Sequence, residues 1–391
     1  MRKLDVLVVG AGPAGCVAAW EAAQAGKQLD VLCVERDRAI GAPVRCGECV
    51  GVAGLKEFMN PDGAAWIARR IQNVVFISPN DDRTRLEGGQ DVAYILDRTR
   101  FDPALAEEAR RAGAEFQIRT EAVAMARENG GWRVHLQGPR GDEDVLAKIV
   151  IGADGVETMI GRWAGIDTRV ASRDMESCAQ YVVSNIDIDP DTMVLHFADA
   201  WAPCGYAWVF PRDVGVANVG LGLLSLRSDG RNALQYLDSY IERYFPGGTI
   251  TALTVGGVIV GTTIKRTFTD GVMLAGDAAH MINPVTGGGI VNGMKAGRLA
   301  GRHAAAAIAE GDTSAARLQR YHDDWMDLVG DDLLKYFKIK EALIRLGDDF
   351  LNRLAVTVNR IPTEKRTLGR VVAHALINHP TLLPLAARFF V

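Results

Sequence analysis

The six residues Gly10-Ala11-Gly12-Pro13-Ala14-Gly15 leave few folds open to this chain, because of what stands on either side of them. The apolar, β-branched run of residues 4–9 leads into them and an Ala-rich helical stretch over 16–26 leads away. A second strand-like run over 29–35 ends in Glu35, twenty positions beyond Gly15. Strand, glycine turn, helix, strand and terminal acid form a βαβ unit of the dinucleotide-binding kind. In such a unit the first glycine makes the tight turn and the second lets the backbone approach a pyrophosphate. The third allows close helix–strand packing, and the acid accepts a ribose hydroxyl. Gly10, Gly12, Pro13, Ala14, Gly15 and Glu35 are therefore candidate dinucleotide-binding residues.

The rest of the chain must supply the fold around this unit. Its 391 residues allow two to three domains at roughly 150 residues each, and 48% hydrophobic content gives material for buried cores. Lys and Arg total 44 against 48 Asp and Glu, a net charge of −4, which lacks the basic footprint nucleic acid requires. Six cysteines, unevenly spaced, do not form an extracellular disulfide framework, so a cytoplasmic setting is expected. The N-terminal apolar run is too short for a secretion signal. The most apolar late stretch, 371–391, is broken by His374, Asn378, His379, Pro380, Pro384 and Arg388, so no membrane span is expected.

Two further strand-to-turn segments follow the first: Ile151-Gly152-Ala153-Asp154-Gly155 and Leu274-Ala275-Gly276-Asp277-Ala278-Ala279-His280. A helical pattern over 292–309 comes after the second. Together with the first fingerprint these segments resemble the flavoprotein hydroxylase superfamily, and that resemblance implies FAD. It also implies that Asp277 binds the ribityl chain and that the helix N-terminus near 287–292 faces the flavin pyrimidine. His280 is read as structural, closing the turn. Pro284, Gly287, Gly288, Gly289 and Ile290 suit a close backbone approach to the isoalloxazine, since glycines remove side-chain obstruction. Leu96-Asp97-Arg98-Thr99-Arg100-Phe101-Asp102 matches the superfamily's arginine segment and makes Arg98 a partner for FAD phosphates or the flavin edge. Arg36, Arg45, Asp154 and Gly276 complete the expected cofactor set. No second glycine fingerprint is present, so electrons are expected from an external donor: ferredoxin, a deazaflavin or NADPH.

Two motifs narrow the reading. Pro43-Val44-Arg45-Cys46-Gly47-Glu48 follows the second strand, and Tyr206-Ala207-Trp208-Val209-Phe210-Pro211 is followed after eight residues by Gly220-Leu221-Gly222. Taken with the FAD signatures, they resemble the geranylgeranyl reductase family over nearly the whole chain. The resemblance implies saturation of isoprenoid chains, on a prenyl lipid or geranylgeranyl diphosphate, with archaeal-type membrane lipids the favoured substrate. Tyr206, Trp208 and Phe210 alternate onto one face of a strand, a fitting wall for a chain with little polar surface. With Pro211, Gly220 and Gly222 they are the expected prenyl-binding residues. The resemblance also places Cys46 beside the flavin or substrate entrance, as proton donor, gate or small filler, with Glu48 holding or relaying a proton next to it. Cys46 and Cys49 form a C-x-x-C, but no second pair lies at zinc spacing, so no metal is expected. The family often carries glycine where Cys49 stands, which leaves a dithiol role open.

The expected architecture is α/β: a Rossmann-like FAD domain (1–70, 95–175 and 261–312) with an interleaved antiparallel-sheet substrate domain (71–94 and 176–260) and a helical C-terminal region (313–391). That last region interleaves Lys335, Lys338, Lys340, Arg345, Arg353 and Arg360 with apolar residues. Over 331–391 it holds ten Lys and Arg against six Asp and Glu, a polarity suited to anionic lipid at the inner membrane face as well as to a solvated cap. A flavin monooxygenase shares the FAD signatures and stays open at this point. So does an electron-transfer flavoprotein acting on quinones, although members of that type carry a cysteine-ligated iron–sulfur domain and no cysteine follows Cys204. A non-catalytic FAD-binding module is the third alternative.

Overall fold

The computed structural model describes residues 1–25, 29–88, 90–363 and 366. The end of the basic C-terminal region and the apolar run 371–391 lie outside the described residues. The chain divides into two compact units, Met1–Val44 with Arg98–Val170 and Gly261–Leu334, and Arg45–Asp97 with Ala171–Val260 and Lys335–Val391.

In the first unit a parallel sheet is built on Arg2–Val9, flanked by Val31–Glu35 and Glu143–Gly152. Glu115–Ile118 extends it on one side and Val272–Leu274 with Phe268–Thr269 on the other. Val6, Leu7 and Val8 are fully buried. This is the pattern of a parallel strand covered on both faces, which reads as a continuous rather than an alternating apolar run. Helix Pro13–Ala25 packs against helix Ile290–Glu310 through a glycine stripe at one-turn spacing, Gly293, Gly297 and Gly301. A Cβ on Gly297 would stand 2.2 Å from the Ala14 carbonyl oxygen, and one on Gly301 2.4 Å from that of Ala18. Only glycine allows these two helices to approach so closely.

The second unit holds a seven-stranded sheet in the order Thr249–Ile259, Met175–Ser184, Val216–Leu224, Tyr206–Asp213, Thr192–His196, Asn73–Ile77 and Arg83–Glu87. One face is covered by helix Ala233–Tyr244, whose Tyr236, Leu237, Tyr240 and Ile241 pack on Ala179, Tyr181, Val183, Val209, Val219 and Leu221. This helix interrupts a stretch whose composition suggested strands alone. Its start is marked in the sequence by a capping box: Asn232 accepts from the Gln235 N–H while the Gln235 side chain accepts from the Asn232 N–H. The other face carries Trp208 and Phe210 against Ile71, Ala93 and Ile95. The last three belong to a small sheet of Cys49–Gly51, Ala93–Leu96 and Ile67–Ile71. Through that sheet residues 45–70, which sequence reasoning grouped with the FAD domain, pack with the second unit.

Helix Asp331–Asn359, interrupted at Gly347, carries most of the C-terminal bases. Lys338, Arg345, Arg353 and Arg360 are exposed, but Lys340 is buried. Its ammonium donates to Asp174 Oδ1 at 3.2 Å and to the Val260 carbonyl at 2.9 Å. Lys340 is therefore an internal tether and not part of the basic surface suggested by the sequence pattern. Among the described residues no helix is long and apolar enough to cross a membrane.

Candidate functional site

The first unit shapes a cradle at the ends of its central strands. Gly10 adopts φ +98°, and a Cβ there would stand 2.3 Å from the Ala153 carbonyl oxygen. A Cβ on Gly15 would fall 1.8 Å from the Gly10 carbonyl oxygen, so the turn and the helix are locked together. At Gly12, by contrast, an added Cβ meets nothing within 4 Å. Glu35 straps this turn: one carboxylate oxygen accepts from the Ala11 N–H at 2.8 Å and the other from the Asp37 N–H at 2.9 Å. Asp154 accepts from the Met159 and Ile160 N–H groups at 2.8 and 3.0 Å, where helix Ile160–Trp163 begins. Its other oxygen, Oδ1, is buried with no hydrogen-bond partner among the described residues.

Asp277 follows Gly276 (φ +69°) in a short 3-10 turn that ends at His280 in the left-handed region. Burial pushes the Asp277 carboxyl above its ordinary range, against the opposing charge of Arg98. Arg98 itself starts the helix Arg98–Arg111 and grips Asp102 through two hydrogen bonds of 2.6 Å. The 283–288 loop is folded on Asn283, whose side chain accepts from Val285 and Thr286. It delivers Gly289 so close to Asp277 that an added Cβ would stand 3.2 Å from Oδ1. Helix Ile290–Glu310 begins there without a side-chain cap, and neither it nor helix Pro13–Ala25 has an acid in its first turn. Both helix N-termini thus keep their positive ends for an anion. Arg36 is a surface residue 3.5 Å from Glu157, and Arg45 is exposed.

In the second unit the aromatic strip is in place. Trp208 and Phe210 stack with centroids 6.0 Å apart, and Tyr206 meets Trp208 edge-on at 5.9 Å. Ala207 and Val209 point into the opposite core. Register explains the glycines: Gly220 lies opposite Trp208 and Gly222 opposite Tyr206. A Cβ on Gly220 would stand 2.6 Å from the indole. The absence of a side chain is what lets Trp208 lie on the strand. The indole N–H donates to Gln180 Oε1 at 2.9 Å, and the Gln180 amide donates to the Cys46 carbonyl at 3.1 Å.

The Cys46 loop is held from beneath. Glu48, buried and at φ +67°, binds the Arg212 guanidinium and accepts from the Asn218 amide at 2.9 Å. The same amide donates to the Gly47 carbonyl at 3.2 Å. The Glu48 backbone N–H donates to Cys46 Sγ at 3.2 Å. Cys49 lies 3.8 Å from the Met193 sulfur, and burial pushes its thiol up to about 12, far from the thiolate a reactive dithiol needs. Gln180, Arg212 and Asn218 escape the sequence reading. Polar residues at period two in Glu176-x-Cys178-x-Gln180, within an otherwise apolar strand, and an arginine directly after Phe210-Pro211 are the signals that point to them.

A family model described as the geranylgeranyl reductase catalytic domain matches residues 174–260, and one described as an FAD binding domain matches 3–203 and 258–330. The chain is 44% identical over 387 residues to a digeranylgeranylglycerophospholipid reductase of Methanosphaerula palustris, covering 97% of this chain and 96% of that one. The chain belongs to the geranylgeranyl reductase family. A second digeranylgeranylglycerophospholipid reductase, from Methanocella arvoryzae, is 41% identical, with 97% of each chain covered. A geranylgeranyl bacteriochlorophyll reductase-like structure from Thermoplasma acidophilum superposes with a TM-score of 0.91 at 34% identity, covering 98% of this chain and all of that one. The p-nitrophenol 4-monooxygenase of Pseudomonas putida shares the fold, with a TM-score of 0.67 at 17% identity and 94% of this chain covered. The cofactor of this family member is FAD. The cradle fits it: the space left open at Gly12, at a helix start with no acid in its first turn, suits a pyrophosphate, the uncapped start of helix Ile290–Glu310 offers a second positive end, and Asp154 Oδ1 is a buried acceptor with no partner among the described residues.

Proposed function

We propose that this chain is an FAD-dependent reductase that saturates the double bonds of geranylgeranyl chains on archaeal-type membrane lipids. The observation that carries the reading is the coincidence of the matched catalytic segment, 174–260, with the strands that present Trp208, Phe210, Gln180 and the glycines opposite them. The reductases named above, alike over nearly their full lengths, support the lipid substrate.

FAD, when bound, supplies the electron pair as a hydride equivalent. Gly12, Glu35, Asp154, Asp277 and the 287–290 helix start are the residues proposed to hold it, with Arg98 supporting Asp277. An isolated alkene has no carbonyl to polarise, so the protein's task is alignment and exclusion of water. Trp208 and Phe210 form the wall for the prenyl chain, and Gln180 fixes the indole and the Cys46 loop at once. Cys46 is the proposed catalytic residue, its thiol giving a proton to the second alkene carbon and regaining one from water. Glu48, committed to Arg212 and Asn218, anchors that loop instead of relaying the proton itself. An external donor refills the cofactor, and the exposed bases of helix Asp331–Asn359 favour contact with anionic lipid.

The test is anaerobic: protein reduced by dithionite is mixed with a geranylgeranyl lipid, and flavin reoxidation is followed with mass spectrometry of the chain. Reoxidation with a gain of about two hydrogens per turnover is expected. A flavin that stays reduced until air enters, with the lipid unchanged, favours a monooxygenase. Trp208→Ala is expected to weaken prenyl binding or to scramble which double bonds are reduced, at normal flavin content. An unchanged affinity and product pattern removes the strip from the substrate site. Cys46→Ala is expected to slow alkene reduction at least tenfold with FAD retained, and full activity in that variant excludes the thiol.

A further inference from the structure

The sheet face that carries the aromatic strip is not apolar throughout. Glu176, Cys178 and Gln180 point to this face, opposite Leu224, Gly222 and Gly220. The Glu176 carboxylate lies over Gly222: an added Cβ there would stand 2.9 Å from Glu176 Oε2 and 3.1 Å from Cys178 Sγ. Gln180, which holds the Cys46 loop, is four residues further along the same strand, so the two backbone positions stand about 13 Å apart along the sheet. No donor reaches the Glu176 carboxylate among the described residues, although it keeps partial exposure. An acid in such a place is either neutral or a charge without compensation.

We infer that Glu176 is a specificity-determining residue, the polar stop that limits how far a prenyl chain runs along this face beyond Trp208. This rests on the prenyl reading proposed above. Apolar chain carbons gain by covering Tyr206 and Trp208 and lose by displacing water from a carboxylate. Burial raises the Glu176 carboxyl to about 7, with Lys340 opposing. The other groups near it are the Cys178 and Cys204 thiols and the Tyr206 phenol, all pushed further from neutrality by burial. Lys340 is itself engaged by Asp174, Glu341 and the Val260 carbonyl. Of these groups it is Glu176 that changes charge near neutral pH. Its raised value means the charge develops as pH climbs through 7, and apolar binding weakens in that direction.

The experiment uses the FAD-loaded protein and fully saturated prenyl glycerophospholipids with chains of 10, 15, 20 and 25 carbons, titrated by quenching of tryptophan fluorescence, so that no turnover is needed. In the native protein affinity is expected to grow with chain length, level off, and fall about tenfold from pH 6 to pH 8. Glu176→Leu should keep gaining affinity at the longest chain, by about tenfold. Glu176→Gln should keep the levelling-off and lose the pH dependence. A length profile unchanged in Glu176→Leu overturns the inference, as does a native pH dependence that survives in Glu176→Gln. Should the leucine variant fail to fold, the glutamine variant and the native titration decide alone. A native protein that binds none of the series overturns the prenyl reading itself.

Discussion

Gly15→Ala is expected to yield protein that is colourless and marginally folded, while Gly12→Ala yields protein that is folded and short of flavin. The two glycines stand three residues apart in one fingerprint, yet their surroundings are opposite. At Gly15 the smallest side chain falls 1.8 Å from the Gly10 carbonyl oxygen, a backbone atom that cannot move without unwinding the turn. Relieving such a clash shifts helix Pro13–Ala25 off the sheet, a loss of at least ~3 kcal/mol. At Gly12 a methyl group meets nothing within 4 Å, so the folded chain accepts it at a change below ~1 kcal/mol. The space it enters is the one proposed for the FAD pyrophosphate, and FAD affinity should fall tenfold or more, about 1.4 kcal/mol. Thermal unfolding of flavin-free protein and the flavin-to-protein ratio separate the outcomes. A Gly12→Ala variant saturated with FAD at native affinity shows that the phosphates lie elsewhere.

Arg212→Ala is the second large effect. Glu48 is buried to 1% exposure, and Arg212 is its counter-charge. Removing one partner of a buried ion pair costs about 3–5 kcal/mol. The Asn218 amide stays in place, but a neutral donor does not replace the lost guanidinium. Adding Glu48→Gln to Arg212→Ala removes the charge the guanidinium balanced and should recover about half of the loss. The pair also positions Cys46, because the Glu48 N–H donates to its sulfur and the Asn218 amide holds Gly47. Cys46 should therefore react faster with a thiol reagent in Arg212→Ala than in native protein. Equal stability and equal thiol reactivity in the single variant mean that the ion pair does not hold the loop.

These residues show where sequence reasoning reaches and where it stops. The fingerprint, the Asp154-Gly155 and Gly276-Asp277 turns and the aromatic strip are local: neighbours along the chain define them, and strand alternation alone puts Tyr206, Trp208 and Phe210 on one face. Gln180, Arg212, Asn218 and Glu176 become meaningful only once register sets Met175–Ser184, Val216–Leu224 and Tyr206–Asp213 side by side. That pairing joins residues tens of positions apart, and no spacing rule predicts it. The Gly-x-Gly after the aromatic motif is an intermediate case. Its spacing is visible in the sequence, but its purpose, to let an indole and a carboxylate lie flat on the strand, is not. Lys340 misleads for a related reason: helical spacing places it among bases, and only the tertiary partners Asp174 and Val260 show that it is buried.

The glycine stripe between helices Pro13–Ala25 and Ile290–Glu310 bears on how long a cofactor stays. With Gly297 and Gly301 seated directly on the Ala14 and Ala18 carbonyls, neither helix can fray inward on its own without tearing the other's contacts. Their first turns, one at Gly12 and the other beside Asp277, therefore belong to a single cooperative unit whose amides should exchange with solvent together and late. Local opening would then offer flavin no easy exit, and its dissociation would follow the slow, sub-global opening of the helix pair.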